Sequence, residues 1–207
     1  MSPLPLYQDD SLLVVDKPAG LPSVPGRPAE LHDCMLSRVH HVAPDALVVH
    51  RLDMATSGLL VFARSKAAQR ALGDAFARRE VVKRYVAVVT GELVDDEGEI
   101  DLPLIADWPN RPLQKVDRVV GKPSVTHYRV IERQPGRTRV ALMPLTGRSH
   151  QLRVHLQALG HPIVGDTLYA PPEVAAQSPR LLLHAHALGF AHPASGEALS
   201  FESPPPF

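Results

Sequence analysis

The chain has 207 residues, 44% of them apolar, and no net charge, which is enough length and hydrophobic content to bury a sizeable core. Its one cysteine, Cys34, excludes an internal disulfide and any multi-cysteine metal site. There is no apolar run of membrane length and no signal-peptide pattern, so a cytoplasmic protein with no membrane partner is expected. The neutral total conceals blocks: residues 51–85 carry eight Lys/Arg and three Asp/Glu, residues 92–107 seven acids and no base, and residues 111–155 ten bases and two acids. Two basic blocks around an acidic one leave a basic face for a polyanion open, beside the alternative of a mixed, solvated surface.

The 21 prolines and 13 glycines point to many turns. Leu12 to Val15 is a short apolar strand that runs into KPAGLPSVPGRP, Lys17 to Pro28, where four prolines and two glycines forbid regular structure. From Glu30 to Val42 the spacing of Leu31, Met35 and Val39 predicts a helix, stopped at Pro44. Leu47 to Val49 is a brief strand. The small-residue turn Ala55-Thr56-Ser57-Gly58 precedes an apolar run, Leu59 to Ala63, too short for most helices and read as a buried strand. Ser65 caps a helix from Lys66 to about Arg79, with Ala68, Ala71, Leu72, Ala75 and Phe76 on one stripe.

Lys83 to Val89 is the next strand. The acidic block to Asp107 reads as loop around a short Leu102–Ile105 run, and DWPNRP, Asp107 to Pro112, as a stiff loop holding the one tryptophan. Val125–Glu132 and Thr138–Leu142 form a hairpin at Pro135-Gly136. Arg148 to Leu159 is a helix closed by Gly160 and Pro162. Leu181–Leu188 and Ala198–Phe201 are the last strands. Strands outnumber helices and neighbours can pair by hairpins, so the expected class is α+β with a largely antiparallel sheet, in one large domain or two small ones.

The chemistry centres on HRLDMATSGLLVFARS, His50 to Ser65. Asp53 lies on a loop at the mouth of a buried strand, beside the cation Arg51. A rigid sheet under an exposed loop suits a reactive acid, although an Asp in a turn commonly does no more than cap local amides. Arg153 is a candidate partner: within reach of Asp53 it would lower the carboxylate's pKa by about 1–3 units. Tyr85 is either a core aromatic or a face on which a base stacks. His150 and His155 are five apart, which does not place two metal ligands on one helical face, and no third ligand joins His184 and His186, so no metal is expected. A glycosidase-like reading needs a second carboxylate flanking the bond, and the motifs below offer none.

HRLDMATSGLL, KRYVAVV and GRSHQLRVHLQALGHPIVGDTLY, in that order, resemble the three core motifs of RluA-type pseudouridine synthases, and VPGR and DWPNRP narrow the likeness to the small dual-specificity branch of that family. The resemblance implies the pseudouridine synthase core fold, a mixed, mainly antiparallel sheet with flanking helices and a central cleft, as a single catalytic domain over 1–207 with no separate N-terminal RNA-binding domain. It implies that Asp53 is the catalytic aspartate, that Arg51 enters the RNA where the target base leaves, that Tyr85 packs on the uracil, that Arg153 pairs with the aspartate, and that Leu183 is the apolar residue beneath the site. His50, Thr56, Arg148, His150 and Gln151 lie in the same motifs and are expected on the substrate side. No cofactor is implied, because isomerising uridine neither oxidises nor hydrolyses anything. The implied partners are structured RNAs, a tRNA anticodon stem-loop and a 23S rRNA hairpin, acted on by a monomer. A non-catalytic RNA-binding module on the same fold would share the basic blocks but would not need Asp53.

Overall fold

The computed structural model describes residues 5–207. In chain order the strands and helices are β1 (Tyr7–Gln8), β2 (Leu12–Lys17), α1 (Met35–Val39), β3 (Leu47–Val48), β4 (Ser57–Ala63), α2 (Lys66–Ala77), β5 (Val82–Thr90), β6 (Glu97–Asp101), β7 (Leu104–Ala106), β8 (Gln114–Val116), β9 (Val125–Gln134), β10 (Arg137–Pro144), α3 (Gln151–Ala158), α4 (Pro172–Ala175), β11 (Leu183–Ala191) and β12 (Ala198–Glu202). The class is α+β, dominated by antiparallel sheet, as expected. The chain divides into two compact units, one of residues up to Lys83 with Ala185–Pro206, the other of Arg84–His184 with Phe207. Among the described residues no helix is long and apolar enough to cross a membrane.

In the first unit β4 is the central strand. All seven of its residues are buried, which is why it reads as a continuous apolar run rather than an alternation. β2 pairs with it antiparallel from Leu12↔Ala63 to Lys17↔Gly58, β3 pairs with its C-terminal end, and β12 pairs with β11. Gly58 has φ 112°, and a Cβ there would meet the Ala185 backbone at 2.4–2.8 Å, so only glycine fits. Ser65 caps α2 by accepting the Ala68 amide at 3.1 Å, and Ala68 and Leu72 drive the helix's apolar stripe into a core with Leu12, Val14, Leu59, Val61, Leu188 and Phe190. Each buried Leu or Val of that core contributes about 1.5–3 kcal/mol.

The helix expected over Glu30–Val42 is broken. One 3-10 turn covers Ala29–Leu31, and α1 starts only at Met35. Cys34 is extended and forms a capping box with Ser37: its Sγ accepts the Ser37 amide at 3.4 Å while its own amide donates to Ser37 Oγ at 2.9 Å.

In the second unit β5, β10, β9 and β6 follow one another, all antiparallel. The acidic block, expected as loop, contributes β6. Its inward residue Ile100 is 2% exposed, and its outward acids face basic partners, Glu97 opposite Arg129 and Glu99 opposite His127, the latter joined at 2.8 Å. The period-2 pattern is present but masked by charge. A separate two-stranded ribbon, β7 with β8, roots on α3 through Leu113 and Val116 packed against Leu104, Val154 and Tyr169.

Candidate active site

Asp53 is half-buried on the loop between β3 and β4. Its own carbonyl accepts the Thr56 amide at 3.1 Å, closing the predicted turn. The neighbours on either side are clamped by the loop that follows β2. Ser23 Oγ donates to the Leu52 carbonyl at 2.8 Å and accepts the Leu52 amide at 3.0 Å. The Gly20 amide donates to the Met54 carbonyl at 2.8 Å. Lys17, fully buried at the end of β2, donates through Nζ to the carbonyls of Leu21 at 2.7 Å, Pro18 at 3.0 Å and Met54 at 3.2 Å. Burying an ammonium is costly, and charge-assisted bonds to three carbonyls offset that cost. The outcome is a positive charge and four hydrogen bonds from β2 and the loop after it to the backbone of Leu52 and Met54, so the loop presents Asp53 in one position.

Lys17 is a residue that sequence reasoning missed. Its one signal is weak: the lysine ends an apolar strand at a position that the β2–β4 pairing makes inward, immediately before a proline.

His50 lies under the same loop. Its Nε2 accepts the Val61 amide at 3.2 Å, just beyond the two residues by which β3 pairs with β4, and its ring stacks on Phe76 with centroids 4.6 Å apart. Burial, helped by the nearby Lys83 ammonium, pushes its pKa down to about 3. An imidazole that accepts an N–H is neutral at that nitrogen, so the hydrogen bond and the depressed pKa agree. His50, expected on the substrate side, is half-buried and completes the sheet ladder where β3 stops. Thr56 is buried, and Arg51 is exposed.

The remaining candidates belong to the second unit. Tyr85 is half-buried on β5, opposite Leu142 of β10. Leu183 is buried at the start of β11. Arg153 is buried on α3 and forms a two-pronged pair with Asp166, Nε to Oδ2 at 2.7 Å and Nη2 to Oδ1 at 2.6 Å. Asp166 Oδ1 also accepts the amides of Leu168 and Tyr169 at 3.0 and 3.2 Å. The guanidinium carbon lies 5.0 Å from the centre of the Tyr169 ring. Asp166 is thus the anion that fixes the rotamer of Arg153. Sequence reasoning gave it no role, because a carboxylate 13 residues away in a loop carries no visible sign of its partner.

Three motif residues order the entry to α3. His150 caps the helix with a left-handed backbone, φ 55°, a conformation a non-glycine residue adopts at a cost of about 1–3 kcal/mol. Its Nδ1 is 2.6 Å from the Tyr169 hydroxyl, which also accepts the Gln114 amide at 2.8 Å. Gln151 is buried with both ends of its amide engaged: Oε1 accepts from the Thr146 hydroxyl at 2.7 Å and the Arg148 amide at 3.0 Å, and Nε2 donates to the Val125 carbonyl and Thr126 Oγ1, both at 3.0 Å. The Thr126 hydroxyl then donates to His155 Nδ1 at 3.0 Å, and His155 Nε2 donates to the Leu102 carbonyl at 3.0 Å. Burial depresses the His155 pKa. Gln151 thereby shapes the turn before α3 from inside. Arg148 is exposed and donates to the Pro123 carbonyl at 3.3 Å.

The first unit thus holds a carboxylate-bearing loop bonded to a buried ammonium, and the second a buried guanidinium pinned by its own carboxylate. The profile of the RNA pseudouridylate synthase family matches residues 11–158. The dual-specificity RNA pseudouridine synthase RluA of Escherichia coli (strain K12) is 56% identical over 203 residues, 98% of this chain and 93% of that protein. The protein of the same name from Yersinia pestis is 56% identical over 198 residues, 95% of this chain and 96% of that protein. Among solved structures, human RNA pseudouridylate synthase domain containing 1 superposes with a TM-score of 0.81 at 31% identity, covering 97% of this chain and 82% of the other. Human RNA pseudouridylate synthase domain containing 4 does so at 0.79 and 27%, covering 98% and 88%. With a matching profile over most of its length and relatives this similar end to end, the chain belongs to the RNA pseudouridylate synthase family and is a pseudouridine synthase.

Proposed function

We propose that the protein isomerises a uridine of a tRNA anticodon stem-loop and a uridine of a 23S rRNA hairpin, and that Asp53 is the residue that acts on the swung-out nucleotide. The observation that supports this most is the clamp around residues 52–54, which holds one carboxylate on an otherwise mobile kind of segment. The reaction breaks the bond between uracil N1 and the anomeric carbon and forms one from C5 to that carbon. The proton on C5 leaves, and N1 gains one, so no atom is lost overall. An ionised carboxylate serves either as nucleophile at the anomeric carbon or as base toward the neighbouring sugar proton.

Taking a base out of its stack costs a few kcal/mol. The exposed Arg51 fills the space it leaves, and Tyr85 offers the uracil a face. Arg153 is the cation that the resemblance pairs with the aspartate, with Asp166 setting the direction of its guanidinium. The relatives named above carry dual specificity in their names, and two hairpins with similar loops suit recognition by shape and splayed bases.

Incubation of the purified protein with an unmodified anticodon stem-loop, and separately with the rRNA hairpin, tests this by mapping of pseudouridine. Asp53→Asn is expected to bring product to background while RNA affinity stays within about threefold. A variant that turns over at the wild-type rate removes Asp53 from the reaction, and an untouched anticodon stem-loop removes the tRNA.

A further inference from the structure

The turn joining β7 and β8 carries an arrangement that the reaction at Asp53 does not use. Trp108 is 65% exposed, and the Arg111 guanidinium carbon lies 3.0 Å above the centre of its ring. The turn is built to hold both in place. The Asp107 amide donates to the Leu113 carbonyl at 2.9 Å, and the Asn110 amide to the Asp107 carbonyl at 3.0 Å. Asn110 Nδ2 donates to Asp107 Oδ2 at 2.8 Å, and Lys115 pairs with Asp107 at 3.7 Å. Pro109 and Pro112 fix two further φ angles. The ribbon beneath is anchored on α3 through Leu113, Val116 and the Gln114 amide bonded to the Tyr169 hydroxyl.

An indole left in water on a rigid turn forgoes the burial that a tryptophan usually gains. A guanidinium laid on one of its faces orients the pair as a flat, cationic stack. Arg118, Lys122 and Arg148, in the same unit, are exposed too, which supplies positive charge for phosphates. A flat, cation-backed aromatic in a unit that also exposes these cations fits an unpaired nucleobase, because every base has a face to stack whatever its sequence.

Resting on the RNA reading above, we propose that Trp108, oriented by Arg111 at the tip of the β7–β8 ribbon, is a stacking platform for an unpaired base of the substrate RNA other than the nucleotide that reacts. A carboxylate-bearing protein partner, which would engage Arg111 instead, is the rival the test separates.

The chain has one tryptophan and four tyrosines, so emission excited at the long-wavelength edge, where tyrosine does not absorb, reports Trp108 alone. The full-length protein is titrated with an unmodified anticodon stem-loop RNA while tryptophan emission is followed. Anisotropy of the same RNA, end-labelled, is measured in parallel. Quenching that tracks binding is expected, with a fully paired duplex of equal length leaving emission unchanged. Trp108→Ala is expected to weaken binding by about 10–100-fold, with the loss in kcat/KM carried by KM, and Trp108→Phe to recover most of it. Stem-loop binding by anisotropy with unchanged emission and an unaffected Trp108→Ala overturns the platform and leaves the RNA reading intact. Quenching by the paired duplex assigns the contact to the backbone and also overturns it. Absence of RNA binding by the wild-type protein overturns both.

Discussion

Replacing Arg153 by Met removes a guanidinium whose side chain is 4% exposed and leaves Asp166, 0% exposed, without its counter-ion. Only the Leu168 and Tyr169 amides then face that carboxylate among the bonds described for it. Stranding one member of a buried pair costs about 3–5 kcal/mol. At about 2–4 °C per kcal/mol for a chain of this size, the melting temperature falls by roughly 6–20 °C. Pseudouridine formation is expected to fall by about 10²–10³-fold, the loss typical for an electrostatic group in a shielded site. The two effects are separable by adding Asp166→Asn. The amide keeps an oxygen for the two backbone donors but carries no charge, so most of the stability returns, with a residual deficit of about 1–2 kcal/mol for an NH2 group lacking a partner. Activity is not expected to return with it. The assay is thermal melting beside single-turnover product formation on the anticodon stem-loop. A double variant that regains both stability and rate would refute the reasoning, because Arg153 would then act only by neutralising Asp166.

Lys17→Met is expected to cost roughly 2–4 kcal/mol, less than three lost hydrogen bonds would suggest because an ammonium no longer has to be buried. It is also expected to lower kcat more than it raises KM, as the Asp53 loop loses its clamp; urea unfolding and steady-state kinetics check both, and wild-type values in both would dismiss the clamp. Stability should fall on acidification. His50, held down to about pKa 3 by burial and the Lys83 ammonium, stays neutral in the native state, whereas the unfolded chain takes up a proton near pH 6.5, so stability drops between pH 6.5 and about 3 at up to about 1.4 kcal/mol per pH unit from this group. His155, depressed by burial, acts in the same direction. Asp9 adds to this only below pH 3.8: burial works against its ionised form, but bonds from Tyr7, from the Ser11 and Leu12 amides and from His192 win and hold it at about 2. A urea midpoint followed from pH 7 to pH 4 reads the slope, and a His50→Gln variant with an unchanged slope would contradict the assignment.

What the sequence makes legible here is what repeats along it. β4 is visible because every residue is buried, and α2 because its stripe recurs every three or four residues behind a serine cap. The β9–β10 hairpin is visible through its Pro-Gly turn. β6 was hidden because its alternation is written in glutamates facing an arginine and a histidine, and charge is ordinarily read as loop. The break before α1 was hidden because it depends on one extended backbone at Cys34. The site follows the same division. Asp53 stands out by its place before a buried strand, but Lys17 and Asp166 matter through partners 37 and 13 residues away. A residue's type shows what it can donate or accept, and only the fold shows to whom.

The relay from Gln151 through Thr126 to His155 and Leu102 has a polarity. The Leu102 carbonyl can only accept, so His155 Nε2 carries the ring proton and Nδ1 accepts from the Thr126 hydroxyl, which itself accepts from Gln151 Nε2. Errors in such a series cannot be absorbed locally: a reversal at one end must be repeated at every member or leave two lone pairs, or two protons, facing each other. The helix carrying Arg153 is thereby held by something close to a combination lock, open in a single setting.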